Sequence, residues 1–342
     1  MNVEYIKELA HPSVLKEMFP LDAKSAEIVK NTIIETEKIF AGESDKKLLI
    51  IGPCSADNED SVIDYISRLC PLQEKVKDKI LIIPRIYTNK PRTTGEGYKG
   101  MLHQPNPNEK ADLFKGIIAT RHMHMRAISE TGFACADEML YPENYEYLDD
   151  VLAYVAVGAR SVEDQQHRLT ASGINSPVGM KNPTSGDYEV MLNAILAAQN
   201  EHTFIYRNWE VHSTGNKYAH AILRGSTNKH GEPQPNYHYE DLIRLYEAYE
   251  KKNLINPGVV IDTNHSNSGK NPFEQPRIVK EVIHSMKHDD ALDKLVKGFM
   301  VESYIVDGNQ KVGGGVYGQS ITDACLGWEK SERLILEIAE RL

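Results

Sequence analysis

The sequence predicts an α/β fold, a closed (β/α)8 barrel of the TIM type, and three observations support this prediction. Apolar and amphipathic segments alternate from residue 47 onward, as expected of parallel strands covered by helices. The alternation repeats about eight times, which favours a barrel over an open doubly wound sheet. No GxGxxG motif joins a strand to a helix, which argues against a dinucleotide-binding sheet. The predicted strands lie in KLLIIGPCS, ILIIPRIY, GFACADEM, VAVGARS, PVGMKNP, HAILRGS, VVIDTNHS and GFMVESY.

The other elements are predicted around this barrel. Helical patterns such as SVIDYISRLCPLQEKV, KADLFKGIIATRHMHMRAISE and DYEVMLNAILAAQ separate the strands. The apolar run TFIYRN, residues 203–208, predicts an extra hairpin before strand six. Residues 1–46 predict a helical N-terminal extension that ends in the polar turn GESDKK. Since no low-complexity linker interrupts the remainder, we expect residues 47–342 to form one catalytic barrel.

Composition narrows the functional class. Hydrophobic residues make up 41% of the chain, the net charge is −10 and the pI is about 5.7. These values fit a globular protein with a full core and argue against a general binder of nucleic acid or anionic membranes. The N-terminus has no continuous apolar region of a signal peptide, and no run approaches the ~18 apolar residues of a membrane span. Four cysteines without disulfide spacing predict reduced thiols and a cytoplasmic location.

Nearly every predicted strand ends on a reactive or charged residue. Active sites of barrels form at the carboxyl ends of the strands, so we expect these side chains to converge. Charged strand ends that merely reach solvent are the alternative, but that explanation does not favour a reactive residue on all eight strands. The residues are Cys54, Arg85, Glu138, Arg160, Lys181, Arg224, His265 and Glu302.

Four of these residues are cations, and the segment NKPRTTGEGYKG adds Lys90 and Arg92. Guanidinium groups bind carboxylate and phosphate through paired hydrogen bonds, while lysine supplies a compact charge. So many cations in one cavity predict a ligand with several negative charges, such as a phosphorylated carboxylate. Taken singly, KPRTT could equally be a turn with solvated charges. Glu138 could act as a base or orient the neighbouring cations.

Sulfur, imidazole and carboxylate ligands are predicted on adjacent strands. Cys54, His265 and Glu302 follow strands one, seven and eight, which become neighbours when the barrel closes. Asp323 in YGQSITDACLGW is a fourth candidate, although alone it could be an acid favoured at a helix N-terminus. This mixed donor set suits Mn, Fe, Co, Cu or Zn better than Mg or Ca.

Together these segments resemble the class I 3-deoxy-7-phosphoheptulonate (DAHP) synthases of the shikimate pathway. The resemblance covers residues from about 48 to 330 in family order and includes almost every strand end. It implies the condensation of phosphoenolpyruvate with erythrose 4-phosphate and the release of phosphate. The matching segments are IGPCS, PRIYTNKPRTTGEGYKG, CADEM, GARSVEDQQHR, PVGMKN, AILRG, IDTNHSNS, MVESYIVDGNQ and GQSITDACLGW.

The resemblance also implies roles for individual residues, a divalent metal (Mn, Fe, Co or Zn, with Mn favoured) and a homodimer or homotetramer. Lys90, Cys54, His265 and Asp323 are the predicted catalytic residues, and Lys90 is expected near both substrates. The implied metal ligands are Cys54, His265, Glu302 and Asp323. Phosphoenolpyruvate is expected at Arg85, Arg160, Lys181 and Arg224, and erythrose 4-phosphate at Pro91, Arg92 and Thr93, with Glu138 and Ala159 as further substrate-binding residues.

In the implied reaction the metal polarises the aldehyde, the enol carbon of phosphoenolpyruvate attacks it, and water adds before phosphate departs. A Schiff-base route through Lys181 is chemically possible, but it is not needed, because an enol phosphate is already a nucleophile.

Two departures separate this chain from the sequence pattern of the feedback-regulated bacterial enzymes. The loop GEGYKG is one residue longer, and the segment from Phe204 to Arg224 is shorter. Because a hairpin in this segment helps to shape the aromatic amino-acid effector pocket of the regulated enzymes, the sequence leaves feedback inhibition open.

Three alternatives remain open from the sequence. A 3-deoxy-octulosonate 8-phosphate synthase would use arabinose 5-phosphate instead. A metal-dependent barrel hydrolase would be expected to carry two or more strand-end histidines, whereas only His265 occupies such a position. A non-catalytic phosphometabolite sensor would keep the fold, since fold alone never proves activity, but it predicts a damaged metal set.

Overall fold

The computed structural model describes residues 1–342 and contains eight parallel strands in one barrel, as the sequence predicts. The barrel strands are the first five, the eighth and the last two in chain order. The strands are β1 (Lys47–Gly52), β2 (Ile80–Pro84), β3 (Cys135–Glu138), β4 (Leu152–Val157), β5 (Val178–Lys181), β6 (His202–Tyr206), β7 (Trp209–Ser213), β8 (His220–Leu223), β9 (Ser226–Thr227), β10 (Pro233–Gln234), β11 (Val259–Asp262) and β12 (Val296–Glu302).

Helices cover the outside of the barrel and precede its first strand. A π-helical turn, Ala127–Thr131, continues α4, and a 3-10 turn, Pro272–Glu274, precedes α9. The α-helices are α1 (Pro12–Met18), α2 (Ala23–Ala41), α3 (Glu59–Val76), α4 (Leu113–Arg126), α5 (Pro142–Tyr145), α6 (Gln165–Ser172), α7 (Tyr188–Gln199), α8 (Tyr239–Lys252), α9 (Gln275–His288), α10 (Asp290–Leu295) and α11 (Trp328–Arg341). None of these helices is both long and apolar enough to cross a membrane.

The strand order closes the barrel. The eight strands pair in the order β2-β1-β12-β11-β8-β5-β4-β3, and the bridge between Arg85 and Ala136 joins β2 to β3. In the register of β1 with β12, Gly52 pairs with Glu302. The carboxyl ends therefore form one edge, which we call the mouth, and the amino ends form the opposite edge, which we call the floor.

Two apolar layers hold the barrel. A cluster of 69 buried residues lies between the strands and the helices, and a second cluster of 12 fills the interior. Glycine at position 179 is required there, because a Cβ atom would lie 2.3 Å from the Tyr154 hydroxyl. Strand bodies are buried on both faces, which explains their continuous apolar sequence.

The N-terminal helix α2 covers the floor. Asp22 caps α2, which ends at Gly42 in a left-handed conformation (φ 74°). This turn directs the chain into β1. Near the end of α2, Phe40 stacks on His220 with ring centroids 3.9 Å apart, and it belongs to the interior cluster.

The predicted hairpin is present, and some of the predicted strand-end residues lie in loops. Strands β6 and β7 pair antiparallel over five residue pairs. Several residues that the sequence placed on strand ends lie one to three positions beyond the last strand residue, as with Cys54, Arg160 and His265. Strands β9 and β10 were not predicted, because two-residue strands carry no periodicity.

Candidate active site

A sulfur atom and two carboxylates meet at the mouth. Cys54 follows β1, Glu302 ends β12, and Asp323 lies in the loop before α11. Their potential ligand atoms all lie within 4.8 Å of one another. The Sγ atom of Cys54 is 3.7 Å from Oδ2 of Asp323. We call these three residues the sulfur–carboxylate cluster, and they are three of the four residues expected to bind metal.

His265, the fourth, lies at the edge of this cluster. Its Nε2 atom is 3.8 Å from Oε1 of Glu302, and its backbone is left-handed (φ 47°). On the other side of the ring, Nδ1 lies 2.8 Å from Oδ2 of the buried Asp262. A carboxylate in this position orients a histidine and leaves the opposite nitrogen free to bind a cation.

The cluster suits a divalent metal. Glu302 is fully buried, and its Oε1 accepts no well-directed hydrogen bond, although Nη2 of Arg85 is 3.2 Å away. Burial, and then the charge of Glu302, raises the pKa of the Cys54 thiol. A cation bound here would stabilise the thiolate and satisfy the carboxylate oxygen. Sulfur, nitrogen and oxygen together form a donor set that first-row transition metals accept.

Two lysines contact Asp323 from opposite sides. The Nζ atom of Lys90 is 3.1 Å from Oδ2 of Asp323 and 2.7 Å from Sγ of Cys54. The Nζ atom of Lys270 is 3.1 Å from Oδ1. Burial works to raise the pKa of Asp323, but Lys90 and Lys270 hold that pKa well below its usual range. Asp323 is therefore ionised across the physiological pH range.

Buried cations lie beside the cluster. Arg85 is 1% exposed, its Nε and Nη1 atoms have no hydrogen-bond partner, and its guanidinium lies 3.8 Å from the ring of Tyr87. The Nζ atom of Lys181 is 3.4 Å from Oε2 of Glu138 and 3.6 Å from Oδ2 of Asp262. Buried donors without partners are rare, so the two free donors of Arg85 indicate a place for an anion.

The remaining substrate candidates lie further out. Arg224 is partly buried and its Nη1 is 3.4 Å from Oγ of Ser266. Burial lowers the pKa of Arg224. Nε of Arg92 donates to the carbonyl of Tyr98 at 2.8 Å, which anchors the Arg92 guanidinium. Four other candidates lie in the loops after β2 and β4 and make no hydrogen bond or ion pair with the sulfur–carboxylate cluster: Pro91, Thr93, Ala159 and Arg160.

Comparison with known proteins identifies the family of this chain. Residues 26–336 match the model of the DAHP synthetase I family. The chain belongs to this family. Phospho-2-dehydro-3-deoxyheptonate aldolase of Haemophilus influenzae is 38% identical over 99% of this chain and 93% of that protein. The Phe-sensitive phospho-2-dehydro-3-deoxyheptonate aldolase of Escherichia coli K12 is 35% identical over 99% and 96%.

The three-dimensional structure of this chain is also similar to a solved structure. Phospho-2-dehydro-3-deoxyheptonate aldolase of Francisella tularensis SCHU S4 superposes with a TM-score of 0.92 at 31% identity, covering 99% of this chain and 98% of that one. Enzymes of the DAHP synthetase I family are transferases that condense phosphoenolpyruvate with erythrose 4-phosphate, the first step of the shikimate pathway. The family, the barrel fold and the enzyme class predicted from the sequence are thereby confirmed.

Several residues around the candidate active site were not predicted from the sequence. Asp262 was part of the segment IDTNHSNS, and its position three residues before His265 at a strand end could have indicated its contact with that ring. Asn264 donates through Nδ2 to Oε2 of Glu302. Gln275 accepts from the backbone N–H of Glu302 at 2.9 Å. No local pattern signals the contacts of Asn264, Gln275 and Lys270, because they depend on loop paths.

Proposed function

We propose that this chain condenses phosphoenolpyruvate with erythrose 4-phosphate, releases phosphate, and uses a divalent metal held by Cys54, His265, Glu302 and Asp323. One observation carries the proposal. A buried arginine with unpartnered donors lies next to the sulfur–carboxylate cluster, so an anion site and a cation site would adjoin at the mouth. A metal-assisted condensation of a phosphorylated carboxylate with a phosphorylated aldehyde would use both.

The buried cations would hold phosphoenolpyruvate. The Nε and Nη1 donors of Arg85 are buried without partners, and they would donate to the oxygens of a bound anion. Lys181, 4% exposed, adds a charge next to Tyr87, and Arg224 and Arg160 complete the cationic wall. The same charges would stabilise the phosphate as it departs, and they bring two mutually repelling substrates together.

The loop after β2 would hold the second substrate. Arg92 is anchored by its Nε hydrogen bond to Tyr98, which leaves both Nη groups for the phosphate of erythrose 4-phosphate. Pro91 and Thr93 flank it. Lys90 reaches from this loop into the cluster, so its Nζ can give a proton to the aldehyde oxygen as the carbon–carbon bond forms. The contact with Glu138 would hold Lys181 in place, and Ala159, in the loop after β4, would border the anion site.

A divalent metal, when bound, supplies Lewis acidity that makes the aldehyde carbon electrophilic. We propose manganese as the metal of first choice among Mn, Fe, Co and Zn. C3 of phosphoenolpyruvate attacks the aldehyde carbon, water adds at C2, and the C2–O bond to phosphate then breaks. Asp262 keeps His265 turned toward the cluster throughout this sequence.

The proposal includes the organisation of the chain. Residues 1–46 would form the extension and residues 47–342 the catalytic barrel, since α2 ends at Ala41 and β1 begins at Lys47. Ile205 and Trp209 on the hairpin are 74% and 69% exposed, which supports a homodimer or homotetramer. Four unpaired cysteines support a cytoplasmic location.

Phosphate release from phosphoenolpyruvate tests the proposal directly. We expect turnover with erythrose 4-phosphate, loss of at least 100-fold in rate after EDTA treatment, and recovery on adding Mn²⁺. A preference for arabinose 5-phosphate would instead assign an octulosonate-type synthase. Full activity in metal-free protein would contradict the metal centre, and absence of turnover with a loaded metal would indicate a phosphometabolite sensor.

A further inference from the structure

The loop after β11 brings a second ammonium group to Asp323. Lys270 contacts Oδ1 only, whereas Lys90 contacts Oδ2 and the sulfur of Cys54. The side chain of Lys270 is 63% exposed, compared with 14% for Lys90. The two carboxylate oxygens therefore have different surroundings. Oδ2 belongs to the cluster, and Oδ1 points outward to Lys270.

The backbone of this loop fixes Lys270 relative to His265. The N–H of Lys270 donates to the carbonyl of His265 at 2.8 Å. Both residues have left-handed backbones, with φ of 63° and 47°, a conformation that is uncommon for residues other than glycine. Within the same loop, Oγ of Ser268 donates to Oδ1 of Asn264 at 2.7 Å. Lys270 thus links the loop of one proposed ligand to the side chain of another.

We propose that Lys270 is a positioning residue for the candidate metal centre. By holding Oδ1 of Asp323, it directs Oδ2 toward Cys54 and Glu302 and limits rotation of the carboxylate. The inference rests on the proposed function, since it takes Asp323 as a metal ligand. Hydrogen-bond partners of metal ligands commonly set metal affinity in this way.

Replacing Lys270 by a neutral residue has two opposing effects on metal affinity, so the direction of the measured change distinguishes between them. Removing a positive charge near a cation site weakens electrostatic repulsion and so favours metal binding. Solvent screens that repulsion, because most of the Lys270 side chain is exposed. Removing an outer partner of a ligand typically costs about 10–100-fold in affinity. We therefore expect positioning to dominate and affinity to fall.

Cobalt titration of the purified full-length chain measures this directly, because Co²⁺ bound to a thiolate absorbs in the near ultraviolet and its visible bands report coordination geometry. The variants are Lys270→Met and Lys270→Arg. Lys311→Met is the matched control, since it removes an exposed cation from another mouth-side loop without an ion pair to Asp323. Cys54→Ser tests whether the signal comes from the proposed centre.

We expect Lys270→Met to weaken Co²⁺ binding about tenfold and to alter the visible spectrum. Lys270→Arg should stay within about threefold of the unaltered chain, because arginine also donates to a carboxylate. Lys311→Met should leave affinity and spectrum unchanged. Equal or tighter Co²⁺ binding by Lys270→Met would overturn the inference, as would a raised KM for the aldose phosphate with unchanged metal affinity. If the unaltered chain shows no Cys54-dependent Co²⁺ spectrum, the proposed metal centre itself fails.

Discussion

The mouth and the floor of the barrel differ in whether their buried polar atoms have hydrogen-bond partners. At the mouth, Arg85 keeps two buried donors without partners and Glu302 keeps an unsatisfied oxygen. At the floor, His220 is equally buried, yet each ring nitrogen has a partner inside the protein. Its Nδ1 donates to the carbonyl of Tyr218 at 2.8 Å, and its Nε2 accepts from the hydroxyl of Tyr154 at 2.7 Å.

The physical chemistry of the floor is that of a sealed core. Burial lowers the pKa of His220 to about 3, so the ring is neutral when it stacks on Phe40. A buried polar group without a partner destabilises a fold, and His220 at the floor avoids that cost because both of its nitrogens are paired. Arg85 and Glu302 at the mouth retain this energetic cost, which is reasonable where a bound ligand supplies the missing partners. The comparison teaches that conformational stability resides at the floor and binding capacity at the mouth.

Among substitutions that test this difference between mouth and floor, we expect the largest effect at Arg85. Arg85→Lys keeps a positive charge beside Glu302 but removes the planar guanidinium and its two unpartnered donors. We expect kcat/KM for phosphoenolpyruvate to fall by about 10²–10³-fold, because the lost donors act on the anion as it reacts. The melting temperature should change little. Steady-state kinetics and thermal unfolding measure the two quantities, and a variant that loses stability instead of activity would place Arg85 with the structural residues.

Phe40 offers the converse test at the floor. Phe40→Ala leaves a cavity beside His220, and we expect the free energy of unfolding to fall by about 3 kcal/mol. Activity per folded molecule should remain within about twofold. Urea unfolding and kinetics below the transition check both statements. Ile34→Ala, at a partly exposed position on the same helix, is the control and should cost well under 1 kcal/mol. A tenfold drop in kcat with intact stability would show that floor and mouth are coupled.

We expect the smallest effect on substituting Lys297 at the floor. Burial is the main cause that lowers the pKa of Lys297 to about 8, and the positive charge of Lys47 is the second cause. A lysine with a lowered pKa in the folded state binds its proton more weakly there than in the unfolded chain. The resulting destabilisation is fully present below pH 8 and disappears as the pH rises toward 10.5, the ordinary value.

Lys297→Met should therefore stabilise the protein by about 1 kcal/mol at pH 7, and by less at pH 10. Urea unfolding at the two pH values gives the comparison, with the exposed Lys294→Met as control. A gain that is the same at both pH values would mean that packing of the new side chain, and not the charge of Lys297, causes it.

Much of this protein follows from its sequence alone. Apolar segments such as Leu48–Ile51 and Val259–Ile261 are buried on both faces, so their continuous hydrophobicity predicts parallel strands. The residue after each segment could be assigned to one edge, because parallel strands place their carboxyl ends together. Cys54, His265 and Glu302 could thus be grouped before any contact was known, and Asp323 was a fourth candidate from the segment before the last helix.

Only the tertiary structure decided which side chains meet at that edge and which seal the other. The contact of Lys270 with Asp323 spans 53 positions, and that of Phe40 with His220 spans 180, from the residue numbers. Loop paths without periodicity produce the first contact, and packing of an extension across the floor produces the second. Periodicity reports which face of a segment is buried, but the partner of a side chain is set by long-range packing, which no local pattern encodes.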